Sequence, residues 1–455
     1  AAMAEKYSDS SLADRVFELA WSRAPIMLRQ LNATEADAQI YGRLAGSVIY
    51  PSLLRRAKAS VLIRNRRGQS GLWGYGISGD LPIVLIRIRD HENIELVRQA
   101  LQAHAYWRIK GLKVDLVIWN EDDSVYRQTL QDSIMDLVGA SPEAAMVDRP
   151  GGIFVRRGEQ MSEEDRALLQ TVARVVLFDD AGSLADQVTR RDRWAVSIPH
   201  IKTTKRRVDM IVPEGPPPRD LVFFNGLGGF SRDGREYVIL LPKKATTPAP
   251  WVNVIANSQL GTVVSENGSA YTWAENSHEF RLTPWNNDPV SDTCGEAIYL
   301  RDEETAHFWS PSPSPARGAN TYIARHGFGY SIFDYTEDGI TTELCIYVAT
   351  DAPVKFARLK ITNHSGRQRQ MSVTGYWEWV LGELRSKSLM HVTTESDPAT
   401  GAIFSRNPYG QEFADRVAFV DCSESVRTIT GDRTEFLGRN GSPASPAAMR
   451  RTRLS

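Results

Sequence analysis

Pro213-Glu-Gly-Pro-Pro-Pro-Arg219 divides this sequence. Four prolines and a glycine in seven residues admit neither a helix, from which proline removes an amide donor, nor a central strand. The texture differs on the two sides. Upstream, Ile83 to Ile88, Val114 to Trp119, Ile153 to Val155 and Val175 to Phe178 are short β-branched runs. Between them lie helical patterns at Asn93 to Lys110, Ser124 to Val138 and Ser162 to Val172, the last opening on a capping-box-like Ser-Glu-Glu-Asp. Strand and helix in alternation predict a small α/β layer with mostly parallel strands. Ahead of it, Ser10 to about Leu44 reads as a helical lead that Pro25 breaks or kinks.

Downstream, four- to eight-residue β runs are punctuated by Gly, Asn, Asp and Pro. They include Tyr237 to Leu241, Thr262 to Ser265, Tyr322 to Arg325, Thr341 to Ala349, Lys355 to Thr362 and Met371 to Trp379. Asn267-Gly, Asp338-Gly and Ser365-Gly read as hairpin turns. A large antiparallel β-sandwich is the simplest fold for this half, with Gly438 to Ala448 as a loop or ragged end. The expected organisation is a helical lead over 1–70, an α/β domain over 71–200 and a β-sandwich over 201–455.

The 455 residues are 42% hydrophobic and 24% charged, ordinary values for a globular chain of several cores. A formal net charge of −1 gives no basic field for a nucleic-acid partner. No apolar run approaches the 18 or so residues of a membrane helix. Cys294, Cys345 and Cys422 are too sparse for a disulfide framework and suit a reducing compartment. The Ala1-Ala-Met3 start and the Arg450-Arg-Thr-Arg-Leu-Ser455 ending read as those of a fragment.

Several motifs point to bland roles. Gly74-Tyr-Gly-Ile-Ser-Gly79 matches a dinucleotide fingerprint in letters, but a strand follows it where a helix is required. Asn225-Gly-Leu-Gly-Gly229 lacks the Lys-Ser/Thr of a phosphate loop and reads as a tight turn. Lys202-Thr-Thr-Lys-Arg-Arg207 reads as a solvated basic face. The eight histidines form no metal-ligand spacing, and no GxSxG string occurs, so neither a metal nor a cofactor is expected.

The stretch from Trp251 to Trp309 is different. It holds four of eleven tryptophans (Trp251, Trp273, Trp285, Trp309), interleaved with Glu279, Asn286, Asn287, Asp288, Asp292 and Glu296. Sugars present C–H faces that stack on indole and hydroxyls that suit amides and carboxylates. Composition leaves two readings open: a carbohydrate surface, with Trp251, Trp273, Glu279, Trp285, Asn286, Asn287, Asp288 and Trp309 as candidate contacts, or a Trp-filled core with a plain Asn-Asn-Asp-Pro turn. Two carboxylates flanking a sugar would make a glycosidase, but nothing here fixes their separation, and no catalytic residue is assigned.

The strings Glu279-Phe-Arg-Leu-Thr-Pro-Trp-Asn-Asn-Asp-Pro-Val-Ser-Asp292, Gly295-Glu-Ala-Ile-Tyr-Leu-Arg-Asp302 and Phe308-Trp-Ser-Pro-Ser312 resemble the N-terminal β-sandwich of glycoside hydrolase family 94. That family was formerly catalogued as glycosyltransferase family 36. His326-Gly-Phe-Gly-Tyr330 and Trp377-Glu-Trp-Val-Leu-Gly382 look like parts of the same domain. Leu72-Trp-Gly-Tyr-Gly-Ile-Ser-Gly-Asp-Leu-Pro82, His104-Ala-Tyr-Trp107 and Asp148-Arg-Pro-Gly-Gly-Ile-Phe154 are similar to the linking region of cyclic β-1,2-glucan synthases. The resemblance spans roughly 70 to 425. It implies a β-glucan oligosaccharide partner and a downstream (α/α)6 barrel, where a carboxylic acid protonates the glycosidic oxygen and phosphate attacks with inversion. It also implies a setting on the cytoplasmic side of the bacterial inner membrane. No catalytic residue of the family maps onto these positions, so the chain alone is expected to be inactive.

Overall fold

Ile83-Val-Leu-Ile-Arg-Ile88 forms the first strand of the computed structural model, which describes residues 8, 10–122, 129–189, 200–201, 220–243, 245–288, 290–424 and 427–454. The chain forms two compact units, Ala1–Ala195 and Val196–Ser455. In the first, α1 (Ser10–Gln30), α2 (Glu35–Ile49) and α3 (Ala59–Arg64) precede β1 (Ile83–Ile88). Then α4 (Glu95–Ile109), β2 (Asp115–Asn120), α5 (Thr129–Ala140), β3 (Ile153–Arg157), α6 (Glu163–Val172), β4 (Ala173–Phe178) and α7 (Leu184–Thr189) alternate.

The strands pair in the order β3-β2-β1-β4, all parallel. A parallel sheet covered on both faces explains why β1 and β2 read as continuous apolar runs rather than alternating ones. Tyr41, Leu44 and Val48 of α2 share one core with Val84 and Ile86 of β1 and Leu116 and Ile118 of β2. The Trp107 indole of α4 donates to the Tyr41 carbonyl at 2.9 Å, tying α4 to α2.

At Pro25 the helical lead shows no break, and α1 continues through it. The break falls instead at 31–34, where Asn32 takes φ 49° and Thr34 starts α2 through a reciprocal capping box with Asp37. The helix expected from Ser124 is described from Thr129 onward. The basic run 202–207 and the proline stretch 213–219 lie outside the described residues.

The second unit runs β5 (Gly228–Phe230), β6 (Glu236–Leu241), β7 (Val252–Ala256), β8 (Leu260–Ser265), β9 (Ala270–Ala274), β10 (Glu296–Asp302), β11 (Phe308–Trp309) and β12 (Tyr322–Gly327). It continues through β13 (Tyr330–Glu337), β14 (Ile340–Val348), β15 (Lys355–Asn363) and β16 (Met371–Trp377). After the single turn α8 (Arg385–Ser388) come β17 (Thr393–Ser396), β18 (Ile403–Arg406), β19 (Val417–Val420) and α9 (Arg433–Leu437). The antiparallel sheet β15-β14-β13-β12-β6-β5 shares its core with β7-β8-β9 and with β10 and β11 of the sheet β11-β10-β16. A further small sheet is β17-β18-β19. Strict alternation along β13, with Phe333 and Tyr335 inward, is the signature of a one-faced strand.

Asp338 and Gly339, both at positive φ, turn β13 into β14 as the Asp-Gly signal predicts. Ser365-Gly366 does not make a hairpin. The strands on either side of it, β15 and β16, pair in different sheets, so this turn carries the chain across the sandwich. The tail is a loop over 438–446, as read, and it ends packed against the sandwich. Ala448 and Met449 are buried against Tyr299, Tyr376 and Phe436.

Candidate functional site: an aromatic face on the sandwich

Alternation places Tyr271 and Trp273 of β9 on the same face, with ring centroids 5.3 Å apart. The loop after β9 returns Trp285 onto Tyr271 at 4.8 Å, so the tyrosine is flanked by two indoles. Tyr271 is buried by this, while Trp285 keeps 37% of its surface exposed. The Trp273 ring fits only because its cross-strand partner is Gly261, where a Cβ would meet the indole at 2.1 Å. Gly261→Ala is therefore expected to push Trp273 off Tyr271. It should shift the emission maximum of the chain and cost about 1–3 kcal/mol in a denaturant melt.

Polar residues of the loop surround this face. The Asn286 amide donates to Thr293 Oγ1 at 2.6 Å, and Asn287 holds φ 47°. Asp288 accepts from the Val290 and Ser291 amides and from the Ser291 hydroxyl, and the hydroxyl above all holds its carboxyl below the usual range. The Asn286–Asp288 group is thus a self-braced turn beside Trp285. Glu279 is exposed and accepts from His278 at 2.7 Å.

The other two tryptophans lie elsewhere. Trp251 is half-buried, its ring against Tyr237 at 5.9 Å. Its carbonyl accepts from His326 Nε2 at 3.0 Å, and its amide donates to the buried Glu266. Trp309 is fully enclosed in the sandwich core and has no surface to offer a ligand. The physical reason is register: Trp309 pairs with Leu300, whose side chain also points into that core.

The remaining carboxylates of the stretch have structural partners. Asp292 accepts from Ser265 Oγ and Asn267 Nδ2. Glu296 is buried between the sheets, where Thr272, Thr283 and Lys355 Nζ donate to it at 2.6–2.7 Å. Lys355 also donates to Thr262 and Thr272. Burial alone would raise the Glu296 carboxyl, but the Lys355 charge and these hydrogen bonds carry it below the usual range. No spacing rule in the sequence joins Lys355 to Glu296, because the pairing arises only when the two sheets close.

Among the described residues, one group has metal-ligand types close together: His307, Glu337 and Asp338. Glu337 already accepts from His307, from the Ala319 amide and from the Tyr335 hydroxyl, which makes the group a hydrogen-bonded anchor for the β13–β14 turn.

The antiparallel sheets of the second unit are those of a known class of sandwich. Residues 235–455 match the glycosyl hydrolase 94 supersandwich domain and form a domain of that kind. The chain as a whole is similar to the cyclic beta-(1,2)-glucan synthase NdvB of Rhizobium meliloti, with 35% identity over 444 residues, 94% of this chain and 16% of that protein. It is 29% identical over 235 residues to an N,N'-diacetylchitobiose phosphorylase of Vibrio furnissii, covering 50% of this chain and 29% of the enzyme. A solabiose phosphorylase of Paenibacillus borealis is 28% identical over 167 residues. The chain thus spans about a sixth of the synthase and under a third of the phosphorylases. Among the described residues, no helix is long and apolar enough to cross a membrane.

Proposed function

We propose that this chain is the sandwich-bearing part of a cyclic β-1,2-glucan synthase, in which the supersandwich holds β-glucan for a downstream (α/α)6 barrel that performs the chemistry. The observation that carries the reading is the Trp273–Tyr271–Trp285 face, part exposed and edged by the braced Asn286–Asp288 turn. The likeness to a glucan synthase over 94% of the chain supplies the sugar class. In such a protein the chain would lie on the cytoplasmic side of the bacterial inner membrane. A second reading, a scaffold without sugar contact, is favoured by Trp309 and Glu296, which both serve the core.

A tryptophan-fluorescence titration with β-1,2-glucooligosaccharides, using cellooligosaccharides as the control, separates the two. Saturable, linkage-selective quenching is expected, and Trp285→Ala should weaken binding about three- to tenfold. No response at millimolar ligand would leave the scaffold reading standing. Release of glucose 1-phosphate from glucan and phosphate by the purified chain would overturn the non-catalytic assignment.

A further inference from the structure

Lys355-Phe-Ala-Arg-Leu-Lys-Ile-Thr-Asn363 contains no proline or glycine, and β15 runs its whole length against β14 in one unbroken register. Among the described residues, no strand pairs with its other edge. The opposite edge of the same sheet is covered: Val222 and Phe230 exchange amide-to-carbonyl bonds at 2.9 Å outside β5. A long bare edge is a template for a further strand, which proteins usually blunt with proline, a bulge or charge. On the core side of β15, Lys355 is held by Glu296. Beyond it, Ala357, Leu359 and Ile361 lie across from Ile346, Leu344 and Thr342. Ala357 and Ile361 are nevertheless exposed, so the sheet overhangs its core here and leaves apolar surface for a neighbour to cover.

The outer side decides which strand fits. Phe356 stacks on Tyr347 at 5.2 Å, and Arg358 and Lys360 follow at alternate positions. Glu343 lies across from Lys360 and 3.6 Å from Arg358. Arg325, also 3.6 Å from Glu343, has nearer acids in Asp334 and Glu236. The row of charges across the sheet therefore ends at the bare edge on two cations that share one carboxylate, with the Arg358 side chain 68% exposed. A second copy fits this edge poorly, because antiparallel pairing about Leu359 sets Arg358 of each copy against Lys360 of the other. We infer that β15 is a docking edge for an extended segment of a partner protein in which apolar and acidic residues alternate. Main-chain hydrogen bonds to the edge hold such a segment, and its side chains set the register. Its acids stand opposite Arg358 and Lys360, and its apolar residues cover Ala357 and Ile361. The inference is independent of the sugar reading.

Fluorescence anisotropy of the full chain with a labelled peptide of alternating valine and glutamate, matched in length to β15, tests this. The same peptide with lysine in place of glutamate is the control. The glutamate peptide should bind saturably, weaken with added salt and bind about tenfold more tightly than the lysine peptide. Arg358→Glu combined with Lys360→Glu should reverse that preference. Arg358→Gln combined with Lys360→Gln, which sets no new acid beside Glu343, should abolish it in a chain that stays folded. Equal binding of the two peptides, binding of neither, or a preference that both double variants retain would overturn the inference. Self-association of the parent chain in sedimentation, dissolved by the glutamate peptide, would assign the edge to a second copy and overturn it as well.

Discussion

Lys355→Met is expected to cost the sandwich about 3–5 kcal/mol in a urea melt at neutral pH, the usual penalty for stranding a buried charge. The Lys355 ammonium reaches Glu296 at 2.6 Å and two threonine hydroxyls besides, bridging β15 to β8, β9 and β10. Without it, Glu296 remains enclosed with only Thr272 and Thr283 to donate. The double variant Lys355→Met, Glu296→Gln should recover most of the loss, because the amide needs no counter-charge.

The pH dependence should invert as well. In the parent, the depressed Glu296 carboxyl contributes stability above its unfolded value, near 4.3, and that contribution is lost as pH falls through the folded value. In Lys355→Met burial dominates, the folded carboxyl rises above the unfolded one, and the variant's deficit should shrink toward acid pH. A deficit below 1 kcal/mol that does not change with pH would show that the pin contributes little.

In the α/β unit, Glu143→Leu is expected to cost about 3 kcal/mol, and Glu143→Gln about 1. Glu143 is wholly buried. It accepts from Arg108 Nε and Nη2, the latter at 2.6 Å, and from His104 Nδ1 at 2.9 Å. The other ring nitrogen of His104 faces the Val114 carbonyl at 2.9 Å, so both nitrogens meet oxygen acceptors. Leucine leaves Nδ1 buried without a partner, whereas the glutamine amide keeps a carbonyl oxygen there to accept from it.

Burial pushes the Glu143 carboxyl up, but the His104 and Arg108 hydrogen bonds outweigh it and the net shift is downward. Stability from this group should be present above pH 4.3 or so and fade as pH falls through the folded value. Melts of both variants from pH 4 to 7 test this. Equal costs for leucine and glutamine would rule out the hydrogen-bonding account.

These two clusters show where sequence reading ends. Periodicity and turn chemistry are local, so β1, the Ser162 cap and the Asp338-Gly339 turn were legible from a few adjacent residues. Two features were less legible. Pro25 was read as breaking or kinking the run, and α1 carries it without a break, while the less conspicuous Thr34-Glu-Ala-Asp37 box set the boundary. Gly438 to Ala448 was read as a loop or ragged end and is a loop up to 446, but its polar composition gave no sign that Ala448 and Met449 complete a core pocket with Tyr299. The site was half-legible. Tryptophan density marked the stretch, but only the register of β9 and β11 separates Trp273, on the outer face, from Trp309, in the core. Gly261 and Lys355 carried no signal, since each matters through a partner on another strand.

The tail's role also bears on the timing of folding during synthesis. Arg301 of β10 donates to the Arg451 carbonyl, 150 residues further on, and the Tyr299 hydroxyl to the Pro443 carbonyl, 144 residues on. At synthesis rates of about 5–20 residues per second, β10 waits on the order of 8–30 s for those acceptors to be made. During that interval Tyr299 and Tyr376 lack the cover of Ala448 and Met449 and are open to chaperones. The last closure of the sandwich is thus set by the ribosome's pace, well after its six-stranded sheet can form.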